Sequence, residues 1–134
     1  RGVASSYKDR EEGCLFCGLP KDRIIAENKL AYAVYDGYPV TEHHILIIPK
    51  RHTPTYFDLY QPEINACNQL LQEMKAKIEE EDDTVTGFNI GMNNGEDAGQ
   101  TVFHCHIHLI PRRQGDVDTP KGGVRGVIPS KQGY

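Results

Sequence analysis

The 134-residue sequence predicts an α+β domain, an antiparallel five-stranded sheet with one long helix and a short one. Two observations lead there: short apolar, β-branched runs outnumber helical patterns, and short turns link those runs around a single helix-period stretch. A third observation fixes attention on one strand, because HCHIHLIP at residues 104–111 places three of the chain's six histidines at alternate positions.

Residues 1–13 (RGVASSYKDREEG) are polar and without period, which predicts a flexible tail. Residues 24–27 and 30–35 are strands joined at Asn28-Lys29, and residues 44–49 (HILIIP) form a third strand ended by proline. DGYPVTEH before the third strand is a loop, and a short YFDL segment follows that strand. Pro62 then opens the long helix to about Asp82, with Ile64, Cys67, Leu71, Met74 and Ile78 three and four apart. Such a narrow stripe suits a face packed on the sheet, or one that also meets a partner helix. Residues 85–91 are the fourth strand, and the polar loop MNNGEDAGQ feeds the fifth. Glycine and proline dominate residues 114–134, a tail expected to wrap as a loop on or near the active site.

Alternation in the fifth strand puts Phe103, Cys105, Ile107 and Leu109 on a core face and His104, His106 and His108 on the other. One face is suited to folding and the other to chemistry.

The length fits a single domain that buries a core without disulfides. Apolar runs are far too short to span a bilayer, and no signal or transit peptide is visible, so a cytoplasmic protein is expected, with neither nucleic acid nor membrane as partner. The net charge is −4, but Glu79, Glu80, Glu81, Asp82 and Asp83 form one solvated acidic block, so the negative total leaves room for an anion site elsewhere. Of four cysteines, Cys67 and Cys105 read as small buried hydrophobes, while Cys14 and Cys17 form a Cys-x-x-Cys, half of a metal site or a redox pair.

Two chemistries use His-x-His-x-His: a metal held by imidazoles, or a central histidine that attacks phosphorus while its neighbours stabilise charge. The preceding loop favours the second. Asn93, Asn94, Gly95, Gly99, Gln100 and Thr101 offer amides, a hydroxyl and glycine-exposed backbone, which suit phosphate oxygens.

DAGQTVFHCHIHLIPR, with HILIIPKRH upstream, resembles the histidine triad (HIT) superfamily of nucleotide hydrolases and transferases, whose hallmark is His-φ-His-φ-His-φ-φ with φ apolar. The likeness runs over residues 14–113, taken as the HIT domain. It implies a nucleotidyl hydrolase or transferase that cleaves at the α-phosphate of a purine nucleotide, with His106 as nucleophile, His108 and His44 as oxyanion donors, and Asn93 and Thr101 on the α-phosphate and bridging oxygen. By the same resemblance Gly99 and Gln100 supply a tight turn and its amides, Asp36 accepts from the ribose hydroxyls, and Val34 walls the nucleobase. Some bacterial members bind zinc through a set matching Cys14, Cys17, His52 and His104, which implies structural zinc here, and the family's habit of pairing implies a homodimer.

DAGQTV and PRRQGD resemble the fragile-histidine-triad hydrolases of dinucleoside polyphosphates, which makes a diadenosine polyphosphate the first-choice substrate. Asn93 and the Cys-x-x-Cys depart from that branch; asparagine is typical of nucleoside phosphoramidate hydrolases. Such a hydrolase, a dinucleoside polyphosphate phosphorylase and a non-catalytic nucleotide-binding module are the alternatives.

Overall fold

The computed structural model describes residues 7–134. Its strands are β1 (Ile24–Glu27), β2 (Ala31–Tyr35), β3 (Ile45–Pro49), β4 (Val85–Gly91) and β5 (Ile107–Arg113), in one antiparallel sheet ordered β1-β2-β3-β5-β4. One long helix, α1 (Gln61–Glu81), covers one face, and YFDL forms a single 3-10 turn at Tyr56–Asp58.

Local chemistry explains the joints. The Asn28 side chain accepts the Leu30 and Ala31 N–H groups at 3.1 and 3.0 Å, closing the β1–β2 hairpin, and donates to the Ala66 carbonyl of α1 at 2.9 Å. At the start of α1 the Glu63 carboxylate accepts the Tyr60 N–H at 2.8 Å and Pro62 occupies the first turn, where its missing donor costs nothing.

Every residue of β3 is buried, because both faces of the sheet's centre are covered. On the α1 side Ala31, Ala33, Ile45, Ile47, Ile107 and Leu109 meet Cys67, Leu70, Met74 and Ile78. On the other side Tyr32, Val34, Leu46 and Ile48 lie under Phe16 of the N-terminal segment.

The helix stripe differs from the expected one by about one residue, with Glu63 and Leu70 buried where Ile64 and Leu71 are only half-buried. Arg51 permits this. Its guanidinium grips both Glu63 oxygens at 2.9 Å and so pairs the carboxylate that is buried at this end of the helix. Breaking so buried an ion pair costs about 3–5 kcal/mol.

The fifth strand starts three residues later than expected. Cys105 N–H donates to the Thr53 carbonyl at 2.7 Å, so the chain at residues 104–106 is tied outside the ladder and Phe103 is left exposed, not in the core. The strand then runs through Pro111, which β3 no longer flanks, since their pairing covers Ile107 to Leu109. The acidic block is not uniformly solvated either: Asp82 caps α1 and accepts from Arg113 at 2.8 Å.

The tail expected over residues 1–13 falls partly outside the described residues. Within the described part, the Asp9 carbonyl accepts the His52 N–H at 2.8 Å and Tyr7 lies edge-on to Tyr60. At the other end, 3-10 turns form at Gly123–Val127, which packs beside β4, and at Pro129–Lys131, which packs on the first. No helix among the described residues is long and apolar enough to cross a membrane.

Candidate active site

On the sheet face opposite α1, Val34, Leu46, His108 and Gly91 lie in one cross-strand row. His44 immediately precedes β3 and Asp36 immediately follows β2, so both stand at the same end of the sheet as His108.

The hydrogen-bond network assigns the imidazole tautomers. Val40 N–H donates to His44 Nδ1 at 3.1 Å, which leaves the His44 proton on Nε2; that N–H donates to His108 Nδ1 at 2.9 Å. His108 therefore carries its own proton on Nε2, the nitrogen turned away from His44. The neighbouring ring is set the opposite way. His106 Nδ1–H donates to the His104 carbonyl at 2.8 Å, leaving a lone pair on Nε2. The two rings lie 5.4 Å apart, one offering a nucleophile and the next a donor.

Burial lowers the pKa of His44 below its ordinary value, against the pull of Asp36. Burial, with His106 and His44 adding, lowers His108 to about 4. Both rings are thus neutral at pH 7, as the donor chain requires. Asp36 Oδ2 lies 3.4 Å from His44 Nε2, while Oδ1 accepts the Tyr38 N–H at 2.8 Å. The ligand atoms of Asp36, His44 and His108 lie close enough together to hold a metal ion. Ligation through His44 Nε2 would move the His44 proton to Nδ1, donor against the Val40 donor, so the cluster is built as a hydrogen-bond relay.

The first histidine of the run belongs to a second group. His104 is fully buried and donates from Nε2 to the Pro49 carbonyl at 2.7 Å, which turns the Nδ1 lone pair toward Cys14 Sγ at 3.4 Å and Cys17 Sγ at 3.5 Å. His52 Nδ1 is 3.4 Å from Cys17 Sγ. A tetrahedral zinc with ordinary bond lengths separates its sulfur and nitrogen ligands by about 3.5 Å, so the spacing fits such an ion. Burial pushes the Cys17 thiol up, so without a cation it stays protonated.

The HIT domain model matches residues 20–115. The chain belongs to the HIT family.

It is 35% identical over 103 residues to an uncharacterised HIT-like protein of Mycoplasma pneumoniae, covering 74% of this chain and 71% of that one. It is 34% identical over 94 residues to a bis(5'-nucleosyl)-tetraphosphatase (asymmetrical) of Schizosaccharomyces pombe (70% and 51% covered) and 33% identical over 114 residues to an adenylylsulfatase of Arabidopsis thaliana (79% and 55%). Among solved structures, a zinc-bound histidine triad family protein of Mycobacterium smegmatis matches with a TM-score of 0.69 at 35% identity, each chain 78% covered. A HIT family protein of Bacillus anthracis matches at 0.70 and 36%, with 76% and 74% covered.

The other residues singled out in the HIT sequence occupy distinct places. Asn93 and Thr101 are exposed at the mouth of the loop before His104. Gly99 sits at φ +93°, a left-handed turn that suits glycine. The amides of Gly99 and Gln100, expected to serve phosphate, close this turn on the Glu96 and Gly95 carbonyls at 2.9 and 3.1 Å. The Gln100 side chain is buried, accepting from Gly95 N–H and donating to the Pro54 and Val102 carbonyls, so it shapes the loop. Val34 is fully buried beside Leu46. His44, expected to reach toward phosphate, has its Nε2 on His108.

Three residues escaped the sequence reading. Phe16 lies edge-on to His106 with centroids 4.9 Å apart and to His104 at 6.0 Å; its place inside the Cys-x-x-Cys was the available signal. Arg112 and Arg113 are both held in networks, Arg112 by Asn89 and Asp116 and Arg113 by Asp82 and Thr41. A groove of about 730 Å³ runs from His108 and Asn93 past Val40 and Ile110 to Val124 and Val127 of the C-terminal segment.

Proposed function

We propose that the protein is a nucleotidyl hydrolase or transferase acting at the α-phosphate of a purine nucleotide, with a diadenosine polyphosphate as first-choice substrate. The observation that carries this is the His106 Nδ1–His104 carbonyl hydrogen bond, which leaves the Nε2 lone pair free to attack. That lone pair forms a P–N bond as the P–O bond to the leaving group breaks, and the leaving phosphate takes a proton from solvent. Water then attacks the nucleotidyl-histidine, the P–N bond breaks, and the mononucleotide departs. His108 Nε2–H steadies a non-bridging oxygen, with His44 behind it. Asn93 and Thr101 hold the α-phosphate and bridging oxygen, Gly99 and Gln100 form the loop, and Asp36 meets the ribose; Val34, expected to wall the base, lies fully buried under Phe16 and belongs to the core.

The tetraphosphatase relative and the long groove beyond His108 support a dinucleotide. Asn93 and the adenylylsulfatase relative favour a second reading, a smaller leaving group such as the amine of a phosphoramidate. Cys14, Cys17, His52 and His104 hold structural zinc, a reading supported by their spacing and the zinc-bound relative. The protein acts in the cytoplasm as a homodimer. The apolar helix stripe is covered by the sheet, so the support for pairing shifts to β4, an edge strand with Ile90 half exposed.

Diadenosine polyphosphates and adenosine phosphoramidate, incubated with and without inorganic phosphate and resolved by chromatography, test this. AMP formed with or without added phosphate marks a hydrolase, and ADP that replaces AMP only when phosphate is added marks a phosphorylase. No nucleotide release from any of them leaves a binding module.

A further inference from the structure

We propose that Arg113 is a positioning residue for the catalytic histidines, fixing the 41–44 turn so that the His44 ring holds His108 in its donating tautomer. The inference rests on the nucleotidyl-transfer reading for its kinetic consequence, but its structural content stands apart from it.

β5 carries His108 near its start and Arg113 at its end. From there the guanidinium spreads across three elements. Nη1 donates to Thr41 Oγ1 at 2.7 Å, and Nη2 to the Glu42 carbonyl at 3.2 Å and to Asp82 Oδ2 at 2.8 Å. Nε donates to Thr84 Oγ1 at 3.2 Å. Arginine suits this task because its planar fork presents five donors in fixed directions, where lysine presents a single point charge.

The turn it grips is strained. His44 N–H closes on the Thr41 carbonyl at 3.2 Å, and His43 sits at φ +72°, a left-handed conformation that side chains other than glycine adopt infrequently. The His43 ring lies 3.7 Å from Asp82 Oδ2, so the carboxylate held by Arg113 also faces the strained residue. Glu42, His43 and Asp82 could by spacing hold a cation, but the Arg113 guanidinium already occupies the Asp82 carboxylate, which makes this cluster a clamp.

What the turn delivers is a backbone donor at the right place. Val40 N–H, one residue before the clamped Thr41, points at His44 Nδ1 and forces the proton onto Nε2. Without a fixed turn that donor is free to drift, the two tautomers of His44 approach each other in energy, and His108 loses the partner that keeps its Nδ1 unprotonated. Thr41 and Thr84 separate this role from simple cohesion. Both hydroxyls accept from Arg113, but only Thr41 lies in the turn.

The experiment uses full-length protein labelled with ¹⁵N-histidine and four forms: unaltered, Arg113→Ala, Thr41→Val and Thr84→Val. Imidazole ¹⁵N shifts report the tautomers, and release of AMP from a diadenosine polyphosphate reports turnover. In the unaltered protein His44 is expected as the Nε2–H form alone. In Arg113→Ala and Thr41→Val its two nitrogen shifts move toward each other, and kcat falls by about fivefold or more with KM within about twofold, the mark of a group acting on the transition state rather than on binding. Thr84→Val matches the unaltered protein in both. An unchanged His44 tautomer in Thr41→Val overturns the proposal, and so does a Thr84→Val protein that behaves like Thr41→Val. If the unaltered protein releases no AMP, nucleotidyl transfer falls while the tautomer measurement still decides this inference; Thr41→Val, nearly isosteric, keeps the test open should Arg113→Ala fail to fold.

Discussion

Two histidine clusters stand on one short segment of this chain, and they use the same side chain in opposite ways. At the buried end, His104 turns its lone pair inward on two thiols while its other nitrogen is tied to the Pro49 carbonyl. At the half-buried end, His106 keeps a lone pair on Nε2, and His108, which lines the groove, carries a proton there. The difference is imposed by which ring nitrogen meets a backbone group: a carbonyl on Nε2 of His104, a carbonyl on Nδ1 of His106, an amide behind His44. Second partners, not residue type, separate a ligand from a nucleophile and a donor.

The sharpest way to break the comparison is to remove the nucleophile alone. His106→Asn is expected to lower AMP release by at least about a thousandfold while leaving nucleotide affinity within about an order of magnitude, since the attacking group contributes mainly to the transition state. Isothermal titration beside steady-state kinetics checks it; a variant keeping most of its turnover removes His106 from the mechanism. At the other cluster Cys14→Ser should act in the reverse order. Elemental analysis should find zinc lost, and melting should fall by about 10 °C, because metal-binding free energy is folding free energy and each kcal/mol is worth roughly 3–5 °C at this length. Activity should fall less than tenfold. Unchanged melting after chelation would leave Cys14 and Cys17 as ordinary thiols.

Acid should also sharpen the contrast. The unfolded chain protonates His108 near its ordinary value of about 6.5, whereas the folded protein holds that group to about 4. Between those values the unfolded state binds more protons, so stability present above pH 6.5 is lost as pH falls toward 4. Melting temperature is expected to drop across that window, and to drop less steeply in His108→Asn. Equal slopes in the two proteins would mean that other groups set the acid limit.

How legible this was in the sequence depended on the range of the forces involved. The strands of residues 24–27 and 85–91 coincide with β1 and β4, and α1 lies within one residue of the expected span, because periodicity and turn residues act locally. The early part of the HCHIHLIP run was misread as strand since its conformation is fixed by Thr53, which is distant in sequence. The family was legible through motif spacing, and the Cys₂His₂ grouping through the resemblance that those motifs carry; the structure gathers those four residues into one cluster. Tautomers were not, because the backbone groups that assign them come from Val40 and Pro49, and no pattern in the sequence points there.

The smallest expected effect concerns the residue that joins the two clusters. Phe16 lies within the Cys-x-x-Cys loop, its ring edge-on to both His104 and His106, and it is buried over Tyr32, Val34, Leu46 and Ile48. It is therefore set by the thiol pair on one side and packs against the nucleophile on the other. Phe16→Leu keeps most of the apolar volume and removes only the aromatic edge contacts, worth about 0.5–1.5 kcal/mol per pair. Zinc content should be unchanged, since no ligand is touched. Turnover should fall by about twofold to tenfold, the factor that this energy represents if the contact steadies the His106 ring during attack. Loss of zinc with full turnover would reverse the assignment, making Phe16 part of the metal loop's packing rather than a support for the nucleophile.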